Sequence, residues 1–178
     1  MGRGNIFLVG MMGAGKTTLG RALAQRLRRE FVDTDRVLVE RTGVPVATVF
    51  EIEGEEGFRR REAGVLAELA GREDCVIATG GGAILAEENR RVMRAAGTVV
   101  YLRARVESLW ERTRHDSTRP LLSTPDPRGT IASLLEQRDP LYREAAHLVV
   151  ETGSQSANTL VNRVVAALRS HEAARNSG

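Results

Sequence analysis

Short apolar runs separated by longer amphipathic stretches run the length of this chain. Ile6–Val9 is such a run, of the kind a buried parallel strand shows. Beyond Gly10–Thr18, Leu19, Leu23 and Leu27 recur at helical spacing, with Arg21, Arg26, Arg28 and Arg29 between them. The alternation then repeats. Strands are expected at Phe31–Asp35, Val76–Thr79, Thr98–Leu102 and His147–Val150. Short helices are expected from about Arg36 to Glu53, around a Gly43-Val44-Pro45 turn. A longer one spans Gly54–Ala70, with Phe58, Val65, Leu66 and Leu69 as its apolar stripe. Further helices are expected over Glu87–Ala95, Val106–Arg114, Gly129–Arg138 (with a turn at Pro140) and Ala157–Arg169. This makes residues 1–170 a single domain and 171–178 a disordered tail.

Strands alternating with helices, joined by connections long enough for crossovers, imply an α/β fold. The expected form is a three-layer α/β/α sandwich on a five-stranded parallel sheet. Ligands of such sheets bind beyond the carboxyl ends of the strands. That edge collects Gly10–Thr18, Asp33–Asp35 and Gly80–Gly82, each directly after a strand. The polar stretch from about 113 to 128 carries Pro120, Pro125 and Pro127. It is long for a connector, which favours a mobile lid.

Gly10-Met11-Met12-Gly13-Ala14-Gly15-Lys16-Thr17 fits the phosphate-loop pattern G-x-x-x-x-G-K-[ST] between a strand and a helix, the context that pattern requires. The fold is thus of P-loop kinase type. Backbone N–H groups of Gly13, Ala14, Gly15, Lys16, Thr17 and Thr18 can surround phosphate oxygens at the helix N-terminus. Lys16 supplies a compact charge to the β- and γ-phosphates of ATP, and the Thr17 hydroxyl is a ligand for Mg2+. Of 26 basic residues, Lys16 is the only lysine, so the chain departs from arginine where a point ammonium is wanted. Such enzymes also need a carboxylate near the metal, and the Val76–Thr79 strand ends without one. Asp33 is therefore the expected metal-side acid, acting through water.

Composition narrows the classes. At 178 residues, 42% hydrophobic and 28% charged, the chain is one soluble domain's worth. Its net charge of +3 is arginine spread along the sequence, with only 4% aromatic residues, so nucleic acid is not an expected partner. A single cysteine, Cys75, excludes an intrachain disulfide and suits a reducing cytoplasm. No membrane span or signal-like segment is expected.

The sequence resembles the shikimate kinase family over almost its whole length. The motifs are Gly10–Thr17, Asp33-Thr34-Asp35, Phe58-Arg59, Gly80-Gly81-Gly82, Arg119-Pro120-Leu121-Leu122, and Arg138 with Leu141-Tyr142. The resemblance implies transfer of the γ-phosphoryl of ATP to the 3-hydroxyl of shikimate, a step of aromatic amino acid synthesis, with Mg2+. It implies that Asp35 meets the acceptor hydroxyl, as positioner first and base second. Arg59 and Arg138 would grip the carboxylate, Glu62 would orient Arg59, and Gly80, Gly81 and Gly82 would contact the ring substituents. Arg119 would close over the phosphates from the lid, and Arg112 would cover the adenine face. Gln155 belongs to a family-like adenine loop at 152–156. A monomer is expected.

Rivals are a related kinase for gluconate or a nucleoside monophosphate, whose acceptors are also anionic, and an ATP-gated binding module. A guanine-reading N-K-x-D motif is impossible with one lysine at position 16.

Overall fold

The computed structural model describes residues 2, 4–116 and 122–178. Asn5–Val9 forms β1, buried at every position, and it lies at the centre of the sheet. The chain continues through α1 (Lys16–Leu27), β2 (Glu30–Asp33), α2 (Thr34–Thr42), α3 (Val46–Ala70) and β3 (Cys75–Ala78). A single 3-10 turn at Ala83–Leu85 leads to α4 (Glu87–Ala96), β4 (Gly97–Arg103) and α5 (Val106–Thr113). The last elements are α6 (Pro127–Ala145), β5 (Leu148–Glu151) and α7 (Ala157–Asn176).

All five strands are parallel, in the order β2-β3-β1-β4-β5. Phe7 lies level with Ile77 on one side and Val99 on the other. From β1 the chain moves outward to β2, returns through β3, and crosses to β4 and β5. The segments after β1, β2 and β3 therefore open at one edge, side by side. Two helical groups cover the sheet: α1 packs with α7, and α4 with α3 and α6. The core combines Phe7, Leu8 and Ile77 of the strands with Leu19 and Leu23 of α1, Leu66 and Leu69 of α3, and Met93 of α4. Asn5 is buried but satisfied. Its amide donates to the Arg72 carbonyl at 2.8 Å and its oxygen accepts from the Cys75 N–H at 3.0 Å. Cys75 itself is a buried free thiol.

Three local expectations are corrected. Pro140 makes no turn: α6 runs unbroken from Pro127 to Ala145. An interior proline costs a helix about 3 kcal/mol. Here Tyr142 and Ala145 are fully buried beyond it, while Asp139 just before it accepts from Tyr101 and Arg143. Packing on both sides of the proline outweighs the lost backbone bond.

The segment 171–178 is not a disordered tail, since α7 continues to Asn176. The His171 ring lies 5.5 Å from that of His147, a tertiary contact that extends the helix past Arg169. Finally, β2 stops at Asp33, and Thr34 and Asp35 already belong to α2. The Asp33 carboxylate accepts from the Asp35 N–H at 3.0 Å, which caps α2 and ends the strand early.

Candidate active site

The loop between β1 and α1 curls because Gly13 and Gly15 take φ values of 80° and 93°, a region that side chains other than glycine rarely enter. Gly15 is the N-cap residue of α1. Above the loop is a cavity of about 360 Å³, lined among others by Gly13, Gly15, Lys16, Thr17, Thr18 and Arg112. The Lys16 ammonium donates to the carbonyls of Gly10 and Met11, the latter at 3.0 Å. Ala14 is buried and its N–H donates to the Met11 carbonyl, so its amide serves the loop itself. The Thr17 hydroxyl donates to Asp33 Oδ2 at 2.8 Å. A hydroxyl and a carboxylate oxygen meet at the phosphate end of the cavity. That hard-oxygen pair suits Mg2+, an ion that takes one or two protein oxygens and completes its shell with phosphates and water. Among the described residues no cluster of three or more acidic, histidine or cysteine side chains offers an all-protein metal cage.

Arg112, on α5, spans the far end of this cavity. Its Nη1 donates to the Gly13 carbonyl at 3.0 Å and its Nη2 to the Gly153 carbonyl at 2.9 Å. It therefore ties the phosphate loop to the 152–156 loop. Gln155, on that second loop, donates to the Glu151 carbonyl at 3.2 Å and stands outside the cavity lining. Arg119, with Pro120 and Leu121, lies outside the described residues.

A second cavity of about 510 Å³ adjoins the first. Met12, Asp35, Gly80 and Gly81 line both. One end of the second is polar, with Asp35, Arg59, Glu62, Arg138 and Gly80–Gly82. The other is apolar, with Val39, Pro45–Ala47, Phe50 and Phe58. The rings of Phe50 and Phe58 stack at 4.5 Å between centroids.

At the polar end, α3 and α6 bring their charges together. Arg59 Nη1 donates to Glu62 Oε1 at 2.9 Å, one turn away on α3. Glu62 is 1% exposed and Arg138 4%. Burial pushes the Glu62 carboxyl above the usual glutamate range, although Arg59 and Arg138 both pull against that shift. Glu62 Oε2, Arg59 Nε and Arg138 Nη1 are buried without a hydrogen-bond partner. Buried, unsatisfied charged atoms at a cavity wall are costly to maintain and are explained by a ligand that completes them.

The glycine turn after β3 closes this end. A Cβ on Gly82 would stand 2.2 Å from Arg59 Nη2, and one on Gly80 2.8 Å from Glu62 Oε2. The turn is held from two sides. The Gly80 N–H donates to the Thr34 hydroxyl at 3.1 Å, and the Tyr142 hydroxyl donates to the Gly81 carbonyl.

The structure thus brings together Lys16, Thr17, Asp33, Asp35, Arg59, Glu62, Gly80–Gly82, Arg112 and Arg138. Sequence reasoning gave no individual role to Met12, Thr34 or Tyr142, nor to the Val39 and Pro45–Ala47 part of the apolar wall. The aromatic in Leu141-Tyr142 was the one available signal for Tyr142. His147 is structural: its Nδ1 accepts from the Val99 N–H at 3.0 Å. Burial and nearby Arg94 lower its pKa to about 4.

Comparison with known proteins agrees with this geometry. The shikimate kinase family model matches residues 12–169. The chain is 59% identical to a shikimate kinase of Nitrosospira multiformis over 88% of its own length and 80% of that protein's. It is 56% identical to a shikimate kinase of Chromobacterium violaceum over 91% of this chain and 88% of the other. Among solved structures, shikimate kinase from Acinetobacter baumannii in complex with shikimate superposes with a TM-score of 0.93 at 48% identity, covering 94% of each chain. The chain belongs to the shikimate kinase family.

Proposed function

We propose that this chain transfers the γ-phosphoryl group of ATP to the 3-hydroxyl of shikimate, giving shikimate 3-phosphate and ADP. One observation carries the reading. A phosphate loop and a cavity lined by two arginines, the part-buried Arg59 and the buried Arg138, share a floor made of Met12, Asp35, Gly80 and Gly81. A carboxylate seated on guanidinium at the polar end would direct the rest of the acceptor toward Asp35 and the loop.

In the reaction a bond forms between the acceptor oxygen and the γ-phosphorus as the bond to the β–γ bridging oxygen breaks. Asp35 accepts a hydrogen bond from the attacking hydroxyl, aligns it, and takes its proton as charge moves to phosphorus. Lys16 swings from the Gly10 and Met11 carbonyls to the phosphate oxygens and balances their charge. Thr17 would hold Mg2+ directly and Asp33 through water, and the bound ion would supply further charge neutralisation. Arg112 leaves the Gly13 and Gly153 carbonyls to cover the adenine, and Gln155 closes that side. Arg119 reaches the phosphates from the lid. Such chemistry is mostly positioning and electrostatics, which suits a site rich in fixed charge and poor in nucleophiles.

A coupled assay of ADP release with shikimate, gluconate and AMP as acceptors tests the proposal. Magnesium-dependent turnover with shikimate alone is the expected result. Turnover with gluconate or AMP and none with shikimate refutes it.

A further inference from the structure

Tyr142 is fully buried on α6, one turn beyond Arg138, and does not line the acceptor cavity. Its ring stacks on Tyr101 at 4.8 Å between centroids, and the Tyr101 hydroxyl donates to Asp139 Oδ1 at 2.6 Å. The Tyr142 hydroxyl donates to the Gly81 carbonyl, and the Arg138 guanidinium interacts with that same hydroxyl. A Cβ placed on Gly81 would stand 3.5 Å from Arg138 Nη1, so arginine and glycine turn are also neighbours. One phenol therefore joins two acceptor walls that come from different parts of the chain.

The direction of these bonds matters. In a trans peptide the carbonyl and the following N–H point opposite ways. Holding the Gly81 carbonyl toward Tyr142 turns the Gly82 N–H away from α6, and Gly82, unlike Tyr142, lines the cavity. Without the hydroxyl, a part-buried carbonyl loses its partner and the peptide is free to rotate.

We infer that Tyr142 is a positioning residue for the acceptor. It fixes the Gly81–Gly82 peptide and the Arg138 guanidinium in one mutual arrangement, so that N–H and guanidinium meet a carboxylated acceptor together. This rests on the acceptor reading above.

The test compares wild type, Tyr142→Phe and Tyr101→Phe by calorimetric titration with shikimate in the absence of ATP. Steady-state kinetics and melting curves accompany it, at a temperature where every variant is folded. Phenylalanine keeps the ring stack and removes only the hydroxyl. Tyr142→Phe is expected to weaken the Kd and raise the KM for shikimate about tenfold, the usual scale for one lost buried hydrogen bond. The KM for ATP should stay within about twofold, which is inside the scatter of an unaffected site. Tyr101→Phe deletes a hydroxyl of the same stack whose partner is Asp139 and which touches neither Arg138 nor the glycine turn. It should lower the Tm comparably and leave shikimate affinity unchanged. Unchanged shikimate affinity in Tyr142→Phe, or an equal loss in Tyr101→Phe, overturns the positioning role. Failure of the wild type to bind shikimate overturns the acceptor reading itself.

Discussion

Replacing Arg138 by methionine separates binding from folding. The side chain is 4% exposed, so methionine fills the space that alanine would leave empty. The native guanidinium carries a buried, unpartnered Nη1 and faces Glu62 and Tyr142. Truncating one partner of a buried hydrogen-bonded charge pair costs about 2–5 kcal/mol. At about 1.4 kcal/mol per decade, the KM for shikimate should rise roughly 30-fold at the least and several thousand-fold at the most. The KM for ATP should hardly change, because the nucleotide cavity does not include Arg138. A coupled ADP-release assay, varying each substrate at saturation of the other, reads both values. Melting curves supply the second arm. Shikimate at 100 times its Kd adds about 2.7 kcal/mol of stability to the wild type. That increment should fall to about 0.9 kcal/mol or less in Arg138→Met at the same shikimate concentration, while the ligand-free Tm moves little. A larger effect on ATP than on shikimate, or a preserved shikimate-induced shift, would refute the placement of Arg138 at the acceptor.

Other variants probe the remaining parts of the site. Lys16→Ala should reduce turnover by at least about 100-fold, the scale of one lost transition-state donor, with Tm nearly unchanged; an active variant means that Lys16 does not meet the reacting phosphates. Gly82→Ala places a methyl 2.2 Å from Arg59 Nη2, so the guanidinium must move. The KM for shikimate should rise about tenfold, as for the loss of one charged hydrogen bond, and that for ATP should not. Glu62→Gln is a pH experiment. The folded protein holds the Glu62 proton more tightly than the unfolded chain does, because burial raises its pKa above the ordinary 4.5. Stability from this group is therefore full below that ordinary value and falls as pH rises through the raised one. Glutamine still accepts from Arg59 but does not ionise. The Tm of Glu62→Gln minus that of the wild type should increase between about pH 4.5 and neutrality, and a flat difference contradicts the assignment.

Much of this site could be read from residue order, because the β1, β2 and β3 loops carry their chemistry in local motifs. A glycine-lysine-threonine turn after a strand has one main physical use, and three consecutive glycines mark a close backbone approach. Pro140 misled because the cost of a helical proline is local while the compensation is not. Only the fold sets Tyr142 against Gly81 and Tyr101 against Asp139. Met12, Val39 and Pro45–Ala47 were invisible for a related reason. Scattered apolar residues in loops and on helices carry no sign of whether they face a core or a cavity, and these line the acceptor cavity. Asp33 shows the converse. It was read as a metal-side carboxylate and turns out to be a helix cap as well: one side chain places one oxygen on Thr17 and the other on the α2 backbone.

The common floor of Met12, Asp35, Gly80 and Gly81 also bears on inhibitor design. The two cavities share that floor, so one molecule can reach across it. A carboxylated ring joined through its hydroxyl to a nucleoside polyphosphate needs a tether no longer than the phosphoryl group it replaces. Short tethers of matched span give effective concentrations in the millimolar range, which can multiply affinity by about 10²–10⁴ over either half alone. Because the arginine pair and the phosphate loop engage opposite ends of such a ligand, neither half of the molecule would need to be a tight binder by itself.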